Sequence, residues 1–170
     1  MIRKKKKYSR PRQIYEKERI EEENKLAKKY ALKNKREIWK TLAKVKYYRG
    51  RAKELAKSSL EEQEVLYNKL RALGLKIDGA ADVLGLKVEN ILERRLPTIM
   101  TNRKLANTTK QARQMVVHKR VLIDGKVMSA PSYLVPVAQE KLIAIKNKEK
   151  KAKSEESSAK KGEENKEESG

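Results

Sequence analysis

The sequence contains no cysteine and no phenylalanine, and it has one tryptophan in 170 residues. The lack of cysteine excludes a disulfide framework, a cysteine-ligated zinc site, an iron–sulfur cluster and a thiol nucleophile. No apolar run approaches the ~18 residues that span a bilayer, and the basic start lacks the apolar stretch of a signal peptide. We therefore expect a cytosolic protein of one or two small domains.

Acidic residues are also scarce, since 44 lysines and arginines face 23 aspartates and glutamates, which gives a formal charge of +21. Such a charge repels itself unless a polyanion neutralises it, and this favours nucleic acid as the partner. A polybasic membrane-surface protein is the alternative, but it needs a cationic amphipathic helix with large apolar side chains on one face. Without phenylalanine and with the charge spread along the chain, nucleic acid is favoured and no membrane partner is expected.

Residues that could carry catalysis are few. His118 is the only histidine, and without cysteine or clustered carboxylates it makes a poor metal ligand. It also has no evident nucleophile to serve as a base, and no phosphate-binding glycine loop, paired-carboxylate pocket or catalytic triad stands out. We therefore predict no metal, no cofactor and no enzymatic activity, and a hydrogen-bonded or RNA-contacting role for His118.

Composition divides the chain into four parts: a basic extended arm (1–13), a helical domain (14–87), an α/β module (88–146) and a charged tail (147–170) that we expect to be flexible. The arm contains a proline and no acid, so that it is either a solvated segment or, as we favour, an extension that follows phosphates. The tail holds as many glutamates as lysines, so the positive excess lies in residues 1–146. The cations of the arm are Arg3, Lys4, Lys5, Lys6, Lys7, Arg10 and Arg12.

Helices are predicted from Ile14 to Leu73, a stretch that is rich in Glu, Lys, Leu and Ala and contains one glycine and no proline. The first helix (14–32) has few apolar residues and should be solvated, whereas the second (36–56) should place Ile38, Leu42 and Val45 in a core. For Trp39, Tyr47 and Tyr48, stacking on bases is possible, but core packing is favoured. The third helix should begin with a capping box of Ser59 and Glu62, bury Leu66, Leu70 and Leu73, and end at Gly74 in the left-handed conformation.

The module begins with a short helix that should bury Val88, Ile91 and Leu92 while Glu93, Arg94 and Arg95 project partly from its other face, up to Pro97. A second helix should start with Thr108 and Gln111 as a capping box, bury Ala112, Met115 and Val116, and hold Lys110 in its first turn, where anions are favoured. Asp124 and Gly125 predict a tight hairpin between Val121 and Val127. The segment between Pro131 and Pro136 should be an edge strand or an extended segment that returns to the helices.

Several of these segments resemble one family in both order and spacing. They are Asn-Ile-Leu-Glu-Arg-Arg-Leu (90–96), Ala-Arg-Gln-Met-Val (112–116) with His118, Asp-Gly-Lys (124–126) and Pro-Ser-Tyr-Leu-Val (131–135). Together they resemble the RNA-binding domain of the S-four family of small-subunit ribosomal proteins, in its archaeal and eukaryotic branch. The sequence departs from that family at Lys119, where glycine is usual, at Thr109, where arginine is usual, and at Pro97, where an acid is usual.

The resemblance implies an α+β fold, mainly α, with a basic helical domain before an alpha-L RNA-binding module of helices and a small hairpin. It also implies a structural protein of the cytoplasmic small ribosomal subunit that binds small-subunit rRNA, nucleates assembly of the 5′ and body region and lies near the messenger RNA entry channel, where it contributes to accuracy. Neighbouring small-subunit proteins and messenger RNA are the further partners. Beyond the arm, the predicted RNA-binding residues are Arg49, Arg51, Arg94, Arg95, Arg103, Lys104, Lys110, Arg113, Gln114, His118, Lys119, Arg120 and Lys126.

Two other classes remain open. An RNA-modifying enzyme or tRNA ligase could use the same module as an accessory, but the 87 residues before the module are too charged and too poor in pocket-forming residues to supply a catalytic domain. A free ribosome-associated RNA-binding factor or chaperone differs from a structural component by its stoichiometry. A structural component is present once per small subunit.

Overall fold

The computed structural model describes residues 8–146, and these form eight helices and three short strands. The prediction of an α+β fold that is mainly α is confirmed. The predicted arm residues Arg3 to Lys7 and the tail 147–170 lie outside the described residues. In chain order the elements are α1 (Lys17–Lys29), α2 (Lys35–Leu55), α3 (Leu60–Ala72), α4 (Ala80–Gly85), α5 (Val88–Glu93), α6 (Leu96–Asn102), α7 (Thr109–Val117), β1 (Val121–Ile123), β2 (Lys126–Val127), α8 (Val137–Glu140) and β3 (Ile143–Ile145).

The long helix α2 is the centre of the helical half, which comprises α1 to α5, and it packs against α1, α3, α4 and α5. Its inner face buries Val45, Ala52 and Leu55, and these join Leu70 of α3 in a first core. Ile91 of α5 belongs to the same core, although the predicted domain boundary assigns it to the module. The burial follows from the 3.6-residue period of α2, since positions 45, 52 and 55 lie on one side of a helix.

The helix-boundary predictions have mixed outcomes. Gly74 has φ of +79°, as predicted for the residue that follows α3. Ser59 is the N-cap residue of α3, but its side chain accepts no hydrogen bond, so the predicted capping box with Glu62 does not form. The prediction that Leu42 packs in the core is wrong, because Leu42 is 38% exposed at the edge of the apolar stripe of α2.

Because α5 packs in the first core, the module of the folded protein comprises residues 94–146. Its core, the second of the two, lies beneath α6, α7 and the sheet. It contains Leu96, Met100, Ala112, Val116 and Val121, which are all fully buried. The sheet has the order β2-β1-β3 and is antiparallel throughout. A helix pair and a sheet thus bury their apolar faces against each other, as a two-layer arrangement requires.

Local signals in the module are largely confirmed. Thr108 accepts a hydrogen bond from the Gln111 amide at 3.2 Å, while the Gln111 side chain accepts from the amide of Asn107 at 3.1 Å instead of from Thr108. The predicted hairpin forms between β1 and β2, and Asp124 and Gly125 at its tip have φ of +51° and +72°. Positive φ at both central residues is the conformation that Asp-Gly favours in a two-residue hairpin turn.

The segment between Pro131 and Pro136 begins with a turn at residues 131–132 and then returns to the helices, and the alternative of an edge strand is wrong. It makes only an isolated bridge, between Arg95 and Leu134. The Leu96 amide donates to the Tyr133 carbonyl and the Val135 amide donates to the Arg94 carbonyl, both at 3.0 Å. The third strand is instead β3, which pairs with the other edge of β1 and was not predicted.

Candidate nucleic-acid interface

Two of the predicted RNA-binding arginines join the two halves of the protein through Glu37 of α2. Arg95 donates to Glu37 Oε2 at 2.5 Å, and Arg113 donates to Oε1 at 2.7 Å and to Oε2 at 3.1 Å. Burial of Glu37 opposes its ionisation, but hydrogen bonds and positive charge from Arg113 and Arg95 outweigh burial and lower its pKa to about 2. We call Glu37, Arg95 and Arg113 the latch, since they tie α2 to the module.

Further polar contacts surround the latch. Arg113 also donates to the carbonyl of Ala31 at 3.1 Å, and Thr109 donates to the carbonyl of Lys29 at 3.3 Å. The Tyr30 hydroxyl donates to the Glu93 carboxylate at 3.3 Å. The loop after α1 is thereby held against the first turns of α7, and this fixes where the surface of α1 lies relative to that of α7.

Arg94 also donates its hydrogen bonds to acceptors within the protein. Its Nη2 donates to the carbonyl of Val135 at 3.0 Å and to Glu140 at 3.1 Å. A Cβ at Gly74 would lie 2.6 Å from the Arg94 guanidinium carbon, so the glycine leaves room for this side chain. The prediction that Arg94 and Arg95 project from their helix is wrong for Arg95, which is 5% exposed. Arg94 is half-buried.

The other predicted residues of the module are exposed. Within residues 8–146, none of them pairs with a carboxylate, and Arg103 donates to the carbonyl of Glu140. Lys110 lies in the first turn of α7, where the free amides of the helix add to its positive charge. We call this set the module face; it comprises Arg103, Lys104, Lys110, Gln114, His118, Lys119, Arg120 and Lys126.

A groove of about 580 Å³ runs between α1 and α7 beside the module face. Lys110, Gln114 and His118 line one wall, and Asn24 and Lys28 of α1 line the other. The residues that line it, all in the described part of the chain, include no carboxylate. Sequence reasoning missed Asn24 and Lys28, because nothing local in α1 indicates which of its polar residues faces α7.

The predicted residues outside the module are scattered. Arg10 and Arg12 are exposed and line a cavity together with Trp39. Arg49 is half-buried and donates to the carbonyl of Leu86 at 2.6 Å, whereas Arg51 is exposed and pairs with Glu54, a residue of its own helix, at 3.2 Å. The structure therefore does not bring these four arginines together with the module face.

The aromatic residues of α2 differ in their surroundings. Trp39 is half-buried, and its indole nitrogen donates to the Glu23 carboxylate at 2.9 Å. Tyr48 packs against the first core, as predicted. Tyr47 is 63% exposed, so the prediction that it packs in the core is wrong.

Neither a membrane span nor a metal centre is found in the described part of the chain. No helix between residues 8 and 146 combines the length and the apolar character that crossing a bilayer requires. Across the same residues, histidines and carboxylates do not gather in groups that could hold a metal ion.

The module matches the model of a known protein family. Residues 94–140, which hold the latch arginines and the whole module face, match the family model described as the S4 domain. The fold and this match describe a protein in which an S4 domain follows a basic helical half. The matched residues lie within the predicted module, 88–146.

The chain is also similar in sequence to three curated archaeal proteins that share one name. A protein named small ribosomal subunit protein uS4 from Methanothermobacter thermautotrophicus is 43% identical over 146 residues, which cover 82% of this chain and 85% of the relative. Proteins of the same name from Methanococcus aeolicus and Thermoplasma volcanium are 42% and 41% identical, over 81% and 82% of this chain and 81% and 74% of their own lengths. The chain belongs to the uS4 family of small ribosomal subunit proteins. The predicted resemblance is confirmed, and so is the prediction that the chain is not an enzyme.

Proposed function

We propose that this chain is a structural component of the small ribosomal subunit in the cytoplasm and that it binds small-subunit rRNA directly. The observation that carries the proposal is the module face. Its exposed cations and polar groups lie along α7, in the loops beside it and on the hairpin, and none of them is paired with a carboxylate among residues 8–146. Such a surface suits the phosphates and 2′-hydroxyls of folded RNA, which proteins recognise mainly by shape and charge.

The arginines of the latch have a different role in this proposal. A guanidinium that already donates to a carboxylate gains little from a phosphate, because it must first give up charge-assisted hydrogen bonding in a partly buried site. Arg95 and Arg113 therefore position the RNA-binding surfaces, while the exposed residues of the module face contact RNA. Arg94, which binds Val135 and Glu140, acts in the same way.

Two connected surfaces would act as a bivalent clamp. The arm and helical half would hold one RNA helix and the module face another, and the latch would fix the angle between them. Joining two binding units raises their combined affinity through effective concentration. We propose that this clamp organises the 5′ and body region of small-subunit rRNA early in assembly. As the family resemblance implies, the chain would then remain near the messenger RNA entry channel, beside neighbouring proteins, and contribute to accuracy.

The test is crosslinking of the full chain in cells, with sequencing of the attached RNA and a count of the protein per small subunit. We expect crosslinks concentrated in the 5′ domain of small-subunit rRNA at one copy per particle. Scattered crosslinks at low copy number would overturn the proposal in favour of a free RNA-binding factor. As a second test, cutting the chain between residues 74 and 87 should weaken binding greatly, and unchanged affinity in the separated fragments would refute the clamp.

A further inference from the structure

A second groove lies between the two halves of the protein and contains none of the exposed residues predicted to bind RNA. It has a volume of about 430 Å³ and runs between α2 and the segment of residues 131–134. Arg36, Lys40 and Lys44 of α2 line one side and are all exposed. Pro131 and Leu134, which are half-buried, line the other side. One wall is therefore cationic and the other partly apolar.

The three cations form a regular row. They are spaced four residues apart, so they lie on one side of α2 with a rise of about 6 Å from each to the next. A row of this kind meets consecutive phosphates of one strand, which a compact cluster of cations does not. The row also begins in the first turn of α2, where the helix dipole favours anions.

The latch removes the charge that would oppose a phosphate in this groove. Glu37 is the single carboxylate among the lining residues, all of which lie in the described part of the chain. Both of its oxygens are bound, by Arg95 at 2.5 Å and by Arg113 at 2.7 Å. Two guanidinium groups on one carboxylate leave the floor of the groove with a net positive charge, so that the floor attracts an anion.

We propose that this groove binds the backbone of a single RNA strand, with Arg36, Lys40 and Lys44 on its phosphates and Pro131 and Leu134 against its sugars or bases. The inference rests on the proposed function, because it extends rRNA binding to a site between the module and the helical half. The groove then connects the two surfaces of the clamp. The latch serves both to join the halves and to give the floor of the groove a net positive charge.

The first test compares two variants with the same change in charge. Arg36→Gln/Lys40→Gln/Lys44→Gln removes the row, and Lys46→Gln/Lys53→Gln/Lys57→Gln removes three exposed cations from another side of α2 and the turn that follows it. Affinity for a transcript of the 5′ domain of small-subunit rRNA is measured against salt concentration. Each phosphate contact on a single strand contributes about 0.7 to the slope of log K against log salt, so the first variant should lower the slope by about 2.

The control variant should keep the slope of the wild-type chain, and circular dichroism should show equal helicity in all three proteins. Equal losses of slope in the two variants would overturn the proposal of a groove, because the effect would then come from net charge alone. If the wild-type chain does not bind the transcript at all, the proposed function fails. If the wild-type chain binds the transcript and the row variant binds it with the same slope, only the proposal of the groove fails.

The second test locates the strand directly. Since the sequence has no cysteine, Ser132→Cys gives a single attachment point for an iron chelate that cleaves nearby RNA, and Ser132 is an exposed residue that lines the groove. Asn68→Cys on the exposed side of α3 is the matched control. We expect a short contiguous run of cleavage in one strand from the chelate at position 132 and none from position 68. No cleavage from position 132, or equal patterns from both, would overturn the proposal.

Discussion

The helical half and the module carry their positive charge differently. Residues 14–93 contain 19 lysines and arginines against 14 acids, whereas residues 94–146 contain 11 against 2. In the helical half, several cations are neutralised by carboxylates of the same half, as when Arg19 pairs with Glu16 and Glu23. In the module, Arg94, Arg95 and Arg113 turn inward and the remaining cations stay exposed. The charge that is available for RNA is therefore concentrated on the module and on selected rows of the helical half.

Arginine and lysine also differ in where they lie in the two halves. The planar guanidinium groups of Arg94, Arg95 and Arg113 each bind two or more acceptors inside the protein. A guanidinium suits such sites because its donors have a fixed, forked geometry, whereas lysine is a flexible and strongly hydrated point charge. The two cations of the latch, Arg95 and Arg113, are thus arginines, and the exposed cations of the module are mostly lysines.

Removing the carboxylate of the latch should have the largest effect on this arrangement. Glu37→Gln leaves two guanidinium groups without their charged partner in a partly buried site, and breaking such a pair costs about 3–5 kcal/mol. Urea unfolding measures the loss. Glu54→Gln, which removes an exposed ion pair with Arg51, is the control and should change stability by less than about 1 kcal/mol. A loss no larger than that of the control would show that the halves are joined by packing alone.

Acid should weaken the same contact. The folded-state pKa of Glu37 is lowered from 4.5 to about 2. Its contribution to the free energy of unfolding is therefore fully present above pH 4.5 and is lost as the pH falls towards 2. Unfolding free energies measured between pH 5 and pH 2 should therefore fall more steeply in the wild-type chain than in Glu37→Gln. Parallel curves for the two proteins would contradict the assigned pKa.

A smaller effect is expected at Gly74, where the helical half meets the module. Gly74→Ala places a Cβ against the Arg94 guanidinium and forces a side chain into a φ of +79°, which costs about 1–2 kcal/mol for the backbone alone. Gly50→Ala, in the interior of α2 with open space around its Cβ, is the control and should stabilise by about 0.5–1 kcal/mol. Thermal unfolding of both variants provides the comparison. Equal shifts in the same direction would refute this account of Gly74.

The smallest effect concerns Lys119, which has φ of +57° after α7. A residue with a side chain in this conformation is strained, so Lys119→Gly should raise the unfolding free energy by about 1 kcal/mol although it removes a cation. The same variant should reduce the salt dependence of RNA binding. A drop in stability would indicate that the lysine side chain makes a contact that outweighs the strain.

Local sequence signals predicted much of the fold, whereas contacts between residues distant in the sequence could not be predicted from them. Thr108, Gly74 and the Asp124-Gly125 turn act through their own backbone, so their residue types indicate their structure. The strand Ile143–Ile145 is three residues long and has no turn signal before it, so only its pairing with β1 defines it. The pairing of Glu37 with Arg113 spans 76 positions, and no periodicity reports such a contact.

Residue types indicate the candidate site, but they do not give the orientation of its side chains. Helical periodicity identifies the inner stripe of α2 but not its edges, which is why Leu42 and Tyr47 were expected in the core and are exposed. Charge and the family resemblance indicate cations on the module, but they do not separate those that turn inward, such as Arg95, from those that stay exposed, such as Lys110. Orientation depends on the partner that the fold supplies, and for Arg95 that partner is Glu37.

The division of roles between latched and exposed cations is tested most directly by comparing two neighbours on α7, Lys110→Gln and Arg113→Gln. The measurement is the slope of log K against log salt for the 5′ domain of small-subunit rRNA, under conditions in which both variants are folded. We predict that Lys110→Gln lowers the slope by about 0.7–0.9 and that Arg113→Gln, which lowers the charge of the groove floor but removes no phosphate contact, lowers it by clearly less. A fall in slope for Arg113→Gln that equals or exceeds that for Lys110→Gln would contradict the account, because the latched arginine would then be bound to phosphate.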